Sequence, residues 1–92
     1  MAPIAFSRTH ALGAVALKNR LVALEDKLRD RYGVNLSWRG NVADVRGPGV
    51  TGMISVDEQL VEVALTLGLL MRPLAAQIEE AMRRQIDRAL TG

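Results

Sequence analysis

The sequence contains no cysteine, one histidine and three aromatic residues among its 92 positions. Small secreted domains usually depend on disulfides, so the absence of cysteine favours a cytoplasmic protein. No apolar run approaches the roughly 20 residues that cross a bilayer, and Met1 to Phe6 is too short and too weakly apolar for a signal peptide. Because aromatic side chains are scarce, the core is expected to consist of Leu, Val, Ile, Ala and Met.

A large excess of charge of one sign is also absent. The sequence has twelve Lys and Arg residues and ten Asp and Glu residues, which gives a net charge of +2. The basic residues are scattered among acidic ones and form no block that would attract nucleic acid. Arg39 and Arg46 are expected on an exposed sheet face, but Trp38 alternates to the opposite face and leaves no aromatic platform for bases beside them. Nucleic acid is therefore not an expected partner.

Hydrophobic periodicity predicts a first helix. Ser7 and Thr9 are candidate N-caps, and Gly33 suits the left-handed stop after the last turn. Between them, apolar residues recur at steps of three or four and fall on one helical face; they are Leu17, Leu21, Leu24, Leu28 and Tyr32. We therefore expect a helix from about Thr9 to Tyr32.

Alternation of apolar and polar residues predicts four strands, over residues 34–39, 42–46, 50–56 and 60–67. Short turns join them, and Gly47-Pro48-Gly49 is typical of a turn because proline cannot donate to the sheet ladder. Short turns favour an antiparallel meander. Pro73 suits the first turn of a closing helix, and the expected buried stripe of that helix is Leu74, Ile78, Ala81, Met82, Ile86 and Ala89.

The predicted fold is a single α+β domain over residues 1–92, a two-layer sandwich in the order α-β-β-β-β-α. Its sheet is a four-stranded antiparallel meander. One sheet face is apolar and the other is largely polar, so both helices are expected on one face. A chain of this size buries only about 60% of its unfolded surface, so its stability depends on a dense core or on a partner.

No combination of side chains points to catalysis or to a metal site. The serines lack a glycine-flanked nucleophile turn, and the acidic residues are expected in turns or on solvent-facing sides of helices. A lone histidine cannot complete a metal site or a catalytic triad. The glycine-rich stretch from Gly47 to Gly52 joins two strands, whereas a phosphate cradle needs a following helix. An enzyme is not expected, and no catalytic residue, metal ligand or cofactor is predicted.

Arg8 and His10 form a candidate anion contact, because the free amides at the N-terminus of a helix favour negative charge. The alternative is that His10 is an ordinary boundary residue near the first helical turn. A single ionisable group does not define a site, which favours the ordinary role.

A second apolar line runs along the amino half of the first helix through Ala11, Val15 and Val22, which form a candidate partner surface. A helix that is apolar on several sides is usually buried on several sides. Either the sheet edges and the closing helix cover these residues, or a partner does: a second copy, another protein or a hydrophobic particle. Gln85, within the apolar stripe of the closing helix, either reaches the rim or hydrogen-bonds across an interface.

Several short motifs, spread along nearly the whole chain, together resemble one bacterial family. They are Arg8, His10, Leu12 and Gly13, then Trp38, Gly49, Val50, Gly52 and Val56, then Leu67 to Leu74, Ile78-Glu79 and Asp87 to Leu90. This ordered set resembles the small polyhydroxyalkanoic acid system proteins, which are encoded in bacterial regions for polyester storage. The resemblance implies a cytoplasmic protein that is associated with polyhydroxyalkanoate storage and contacts the granule, and it brings no catalytic residues.

The residues and the resemblance leave two hypotheses of function. The first is a non-enzymatic accessory protein that buries Ala11, Val15 and Val22 against a homodimer partner, the granule or a granule-associated protein. The second is a binding domain for a small hydrophobic ligand, such as an acyl compound, with room near Gly52 between the sheet and the helices. A close-packed core would exclude the second hypothesis.

Overall fold

The computed structural model describes residues 2–91, except the side chains of Ala2, Pro3 and Leu24. The strands form an antiparallel sheet in the order β1-β5-β4-β3-β2, with both helices packed on one face, so the predicted α+β class is confirmed. In chain order the elements are β1 (Ala2–Thr9), α1 (Ala14–Tyr32), β2 (Asn35–Arg39), β3 (Val42–Gly47), β4 (Val50–Val56), β5 (Leu60–Leu67), a 3-10 helix (Leu69–Leu74) and α2 (Ala75–Thr91).

The first strand was not predicted. A helix was expected from about Thr9, but β1 runs antiparallel to β5, with Ala2 opposite Leu67 and Thr9 opposite Leu60. Ile4 and Phe6 of β1 are buried and alternate with exposed residues, as in a half-buried strand. The sheet therefore has five described strands instead of four, and the order begins with a strand: β-α-β-β-β-β-α.

The helix α1 begins after Gly13 and buries one face, as its periodicity predicted. Gly33 adopts φ 67° and its N–H donates to the Arg29 carbonyl at 3.0 Å, so the helix ends at the expected glycine. Tyr32, at the end of the stripe, is 49% exposed instead of buried. The side chain of Leu24 lies outside the described residues. The buried residues of α1 are Ala14, Leu17, Leu21 and Leu28.

The remaining strands match the sequence pattern closely, and β4 and β5 have the predicted bounds. Their inward residues join those of the helices in the hydrophobic core. Outward positions such as Ser37, Thr51 and Glu62 belong to an open, largely polar face. The sheet contributes to the core Ile4, Phe6, Ala43, Val45, Val50, Ile54, Val56, Val61, Val63, Leu65 and Leu67, and α2 contributes Ile86 and Ala89.

The closing helix begins later than expected. Pro73 lies inside the 3-10 helix and α2 starts at Ala75, so the proline precedes the first α-helical turn. Leu74, predicted on the buried stripe, is instead 40% exposed because it belongs to the 3-10 segment. The rest of the stripe faces inward: Ile78, Ala81 and Met82 are half-buried, and Ile86 and Ala89 are buried.

Polar contacts tie the two layers together at their edges. The Arg20 side chain donates to the Ala89 carbonyl at 2.8 Å, which places a cation at the carboxyl end of α2, where helix carbonyls lack partners. The Trp38 indole N–H donates to the Glu25 carboxylate, and Lys18 Nζ lies 5.2 Å from the centre of the Trp38 rings. These contacts fix α1 against α2 and against the edge strand β2.

Gly52 marks a close approach of two strands. A Cβ atom at this position would overlap the Ala64 carbonyl oxygen and lie 2.8 Å from Leu65 Cα, both in the backbone of β5. The Leu65 side chain fills the remaining space, with its Cδ2 atom 2.9 Å from the same point. The room that was expected near Gly52 is therefore occupied, and the glycine is required for strand packing.

We expect Gly52→Ala to lower the free energy of unfolding by about 3 kcal/mol, because the β5 backbone cannot move away without breaking the sheet. Urea denaturation of the two proteins measures this difference. Gly68→Ala is a matched control, since Gly68 has φ −68° and the nearest atom to its added Cβ lies 3.6 Å away. Equal loss of stability in both variants would contradict the role assigned to Gly52.

Candidate functional site

An apolar pocket of about 110 Å³ opens between the sheet, the end of α1 and the first three turns of α2. A dry apolar cavity of about 150 Å³ is large enough to bind benzene, so this pocket has room for a short aliphatic group. Its walls come from both layers of the fold. The residues that line it are Leu28, Tyr32, Val34, Val45, Pro48, Val50, Leu65, Met71, Ile78, Ala81, Met82 and Gln85.

A glycine turn and a methionine form one end of this pocket. Gly49, in the predicted turn between β3 and β4, has φ 72°, and its carbonyl accepts a hydrogen bond from the Gly68 N–H at 2.8 Å. Met71 packs across Gly49, where a Cβ atom would lie only 2.5 Å from Met71 Cγ. The absence of a side chain at Gly49 therefore allows the 3-10 helix to dock on the turn and to place Met71 in the pocket wall.

Gln85 brings a polar side chain to the wall of this apolar site. Its Oε1 atom is buried and accepts no hydrogen bond from any residue between 2 and 91. It follows Ile78 and Met82 at helical spacing, so its side chain shares their inward face of α2. A buried carbonyl without a donor costs about 1–3 kcal/mol. The sequence singled out Gln85 as an oddity, and the structure places it in the pocket wall.

Three leucines of the 3-10 helix project into solvent beside the pocket. Leu69, Leu70 and Leu74, which we call the leucine ridge, are 73%, 89% and 40% exposed. Single exposed apolar residues are common on protein surfaces, but three within one six-residue segment indicate a contact surface. The sequence carries a signal for the ridge, the apolar run before Pro73, but the expected helical stripe assigned Leu74 to the core.

The predicted partner surface on α1 is also uncovered. Val15 is 73% exposed and Val22 is 43% exposed, so the described residues of the sheet edges and of α2 leave most of Val15 and nearly half of Val22 open. The two valines lie two turns apart on one face of the helix, with exposed Asn19 between them. Ala11 is exposed as well, but it lies in the turn before α1 and is not helical. Contact of this surface with a partner stays a prediction.

Arg8 and His10 each have a contact within the chain. Arg8, on β1, pairs with Asp87 of α2 at 3.2 Å. His10 Nε2 donates to the Asp57 carbonyl at 2.8 Å, and Nδ1 accepts the Leu12 N–H at 3.2 Å, so His10 holds the turn before α1. Its role as an anion contact stays a prediction.

The amino end of α1 already has an acidic neighbour. A Cβ atom at Gly13, which precedes the helix, would lie 3.4 Å from a carboxylate oxygen of Glu58. A carboxylate near the N-terminus of a helix interacts favourably with the helix dipole, and it repels a second anion. The electrostatics at this end of α1 therefore favour the chain's own acidic residue over an external ligand.

Other kinds of site lack support in residues 2–91. No three His, Asp or Glu side chains in that range gather closely enough to hold a metal ion. Within the same range, no helix has both the length and the apolarity that a bilayer crossing demands. The pocket and the leucine ridge are thus the features of the described chain with the clearest capacity for binding.

The sequence profile of the polyhydroxyalkanoic acid system proteins matches residues 4–90, from the first strand to the last turns of α2. The matched range includes the whole pocket wall and the leucine ridge. No curated protein and no solved structure matches the chain. The match covers nearly all of the 92 residues, and the chain therefore belongs to the polyhydroxyalkanoic acid system protein family.

Proposed function

We propose that this chain is a non-enzymatic accessory protein of polyhydroxyalkanoate storage that acts by contact between the leucine ridge and the apolar surface of the polyester granule. The exposure of Leu69 and Leu70, at 73% and 89%, is the observation that carries the proposal. Family membership supplies the setting, since it links the chain to the polyhydroxyalkanoate system.

Transfer of the ridge from water to an apolar phase is favourable. Full burial of a leucine side chain contributes about 1.5–3 kcal/mol to the free energy of binding. Two mostly exposed leucines therefore contribute several kcal/mol before the costs of association are subtracted. Little is lost in ordering them, because the 3-10 helix is already anchored through Met71 and the Gly68–Gly49 hydrogen bond. A rigid segment with outward leucines is therefore prepared for contact with a hydrophobic surface.

A polymer surface suits the ridge better than a shaped protein groove does. The segment offers apolar groups and one charged side chain, Arg72, which is exposed. The long stem of an arginine lets its guanidinium stay in water at the rim of an apolar contact. An apolar solid demands neither a matched hydrogen-bond pattern nor a fixed register of side chains. The ridge can thus bind wherever the polymer is accessible.

We expect the double substitution Leu69→Gln/Leu70→Gln to reduce co-sedimentation with poly(3-hydroxybutyrate) particles on the order of tenfold or more, because most of the apolar contact is lost. The free energy of unfolding should change by about 0.5 kcal/mol or less, since both side chains are mostly exposed already. Binding isotherms on particles and urea denaturation measure the two quantities.

Two further variants make this experiment specific. Met53→Gln removes a half-exposed apolar residue from the open sheet face and should leave binding unchanged. Val15→Gln/Val22→Gln removes the predicted α1 surface. Loss of particle binding in Val15→Gln/Val22→Gln alone would assign the granule contact to α1. Undiminished binding in every variant would refute the contact mechanism.

The α1 surface is proposed as a separate contact between two copies of the chain. We expect the unaltered protein to have twice the 10.0 kDa mass of one chain in light scattering, and Val15→Glu to have the mass of one chain. The reason is that a buried carboxylate without a partner opposes association by several kcal/mol. Gln77→Glu, an exposed position on α2, adds the same charge as a control. A monomeric unaltered protein would exclude the homodimer.

A further inference from the structure

We propose that the apolar pocket binds a short, uncharged aliphatic chain that carries a hydroxyl group, and that this hydroxyl donates a hydrogen bond to Gln85 Oε1 after rotation of the side-chain amide turns that atom towards the ligand. The inference goes beyond granule contact, because it concerns a pocket that Leu69 and Leu70 do not line. It assigns a ligand class to the pocket and a recognition role to Gln85.

The size of the pocket limits the length of the chain. About 110 Å³ is less than the roughly 150 Å³ of a benzene-binding cavity, which points to about four carbon atoms in the enclosed part of the ligand. Flexible and branched side chains such as Met71, Met82, Leu28 and Ile78 form the walls, and they adapt to an aliphatic group. A long ligand would extend past half-exposed Tyr32 into solvent.

The polarity of the pocket selects the functional group. Among the described residues that line it, none is charged, so a carboxylate inside would lose its hydration without gaining a cation. Gln85 Oε1 is a buried acceptor to which no described residue donates, and it is closed off from the pocket space in this structure. Because Gln85 lines the pocket and the terminal torsion of a glutamine side chain is soft, rotation of its amide turns this acceptor towards a ligand hydroxyl, which supplies the missing donor. An alcohol or a hydroxy ester is uncharged and carries a hydroxyl donor. A plain ester lacks the donor, and an ionised acid carries the charge that the pocket does not accommodate.

An aliphatic chain with both a hydroxyl group and an ester occurs in small hydroxyalkanoate esters and at the hydroxyl end of a polyester chain. Two probes separate these sources: ethyl 3-hydroxybutyrate, and a short oligomer of 3-hydroxybutyrate with a free hydroxyl end. The four-carbon hydroxyalkanoyl end of either probe fits the pocket, and the ethyl group of the ester or the rest of the oligomer then extends past Tyr32 into solvent. Binding of both probes assigns the pocket to chain ends as well as monomers, and binding of the ester alone restricts it to monomers.

The test is a titration of the full ¹⁵N-labelled chain, followed by amide chemical shifts, with ethyl 3-hydroxybutyrate, ethyl butyrate and sodium 3-hydroxybutyrate. We expect shift changes at pocket residues such as Val34 and Ala81. The hydroxy ester should bind about threefold to tenfold more tightly than ethyl butyrate, the range that one neutral hydrogen bond supports. The carboxylate should bind most weakly of the three.

Gln85→Met tests the acceptor without risk to the fold, because it keeps the length of the side chain and removes an unpaired buried carbonyl. In this variant the two esters should bind equally. Ala81→Leu fills the pocket and should abolish both interactions. Leu70→Gln should leave the titration unchanged, so that failure of ridge contact and failure of the pocket are distinguishable. Equal ester affinities in the unaltered protein, a hydroxyl preference that survives in Gln85→Met, or shifts confined to residues outside the pocket would overturn the proposal.

Discussion

The docking of Met71 on the turn at Gly49 is the constraint on which the rest of the candidate site depends. The turn needs a positive φ, the Gly68 N–H needs the Gly49 carbonyl, and Met71 needs the space that a side chain at residue 49 would fill. Met71 thereby closes the pocket, and the neighbouring leucines of the same short segment are turned outward. The pocket and the leucine ridge thus depend on the same contact, the packing of Met71 on Gly49.

Much of the fold could be predicted from local pattern. The alternation of apolar and polar residues predicted the bounds of β4 and β5 correctly. The recurrence of apolar residues at steps of three or four predicted α1 and the glycine at which it ends. The strand β1 was missed because Ser7 and Thr9 are good helix caps as well as acceptable strand residues. Its pairing with β5 links positions more than 50 residues apart, and the only local strand signal, the alternation around Ile4 and Phe6, is too short to outweigh the two candidate helix caps.

The candidate site was less accessible to sequence reasoning. Gln85 stood out as a polar residue on an apolar stripe, but whether it reached solvent depended on how α2 lies against α1. The leucine ridge required knowledge that the chain forms a 3-10 helix before α2, because a regular helix would have turned Leu74 inward. Gly52 was interpreted as a source of space, whereas the structure uses it to bring two strand backbones together. Each of these outcomes depends on tertiary packing.

Contact between the leucine ridge and the polyester can be located without any substitution by amide hydrogen exchange of the full chain, measured with and without poly(3-hydroxybutyrate) particles. If the ridge makes the contact, exchange slows in residues 69–74 when particles are present and stays unchanged on the open sheet face. Protection of residues 14–22 with no change in residues 69–74 would contradict it.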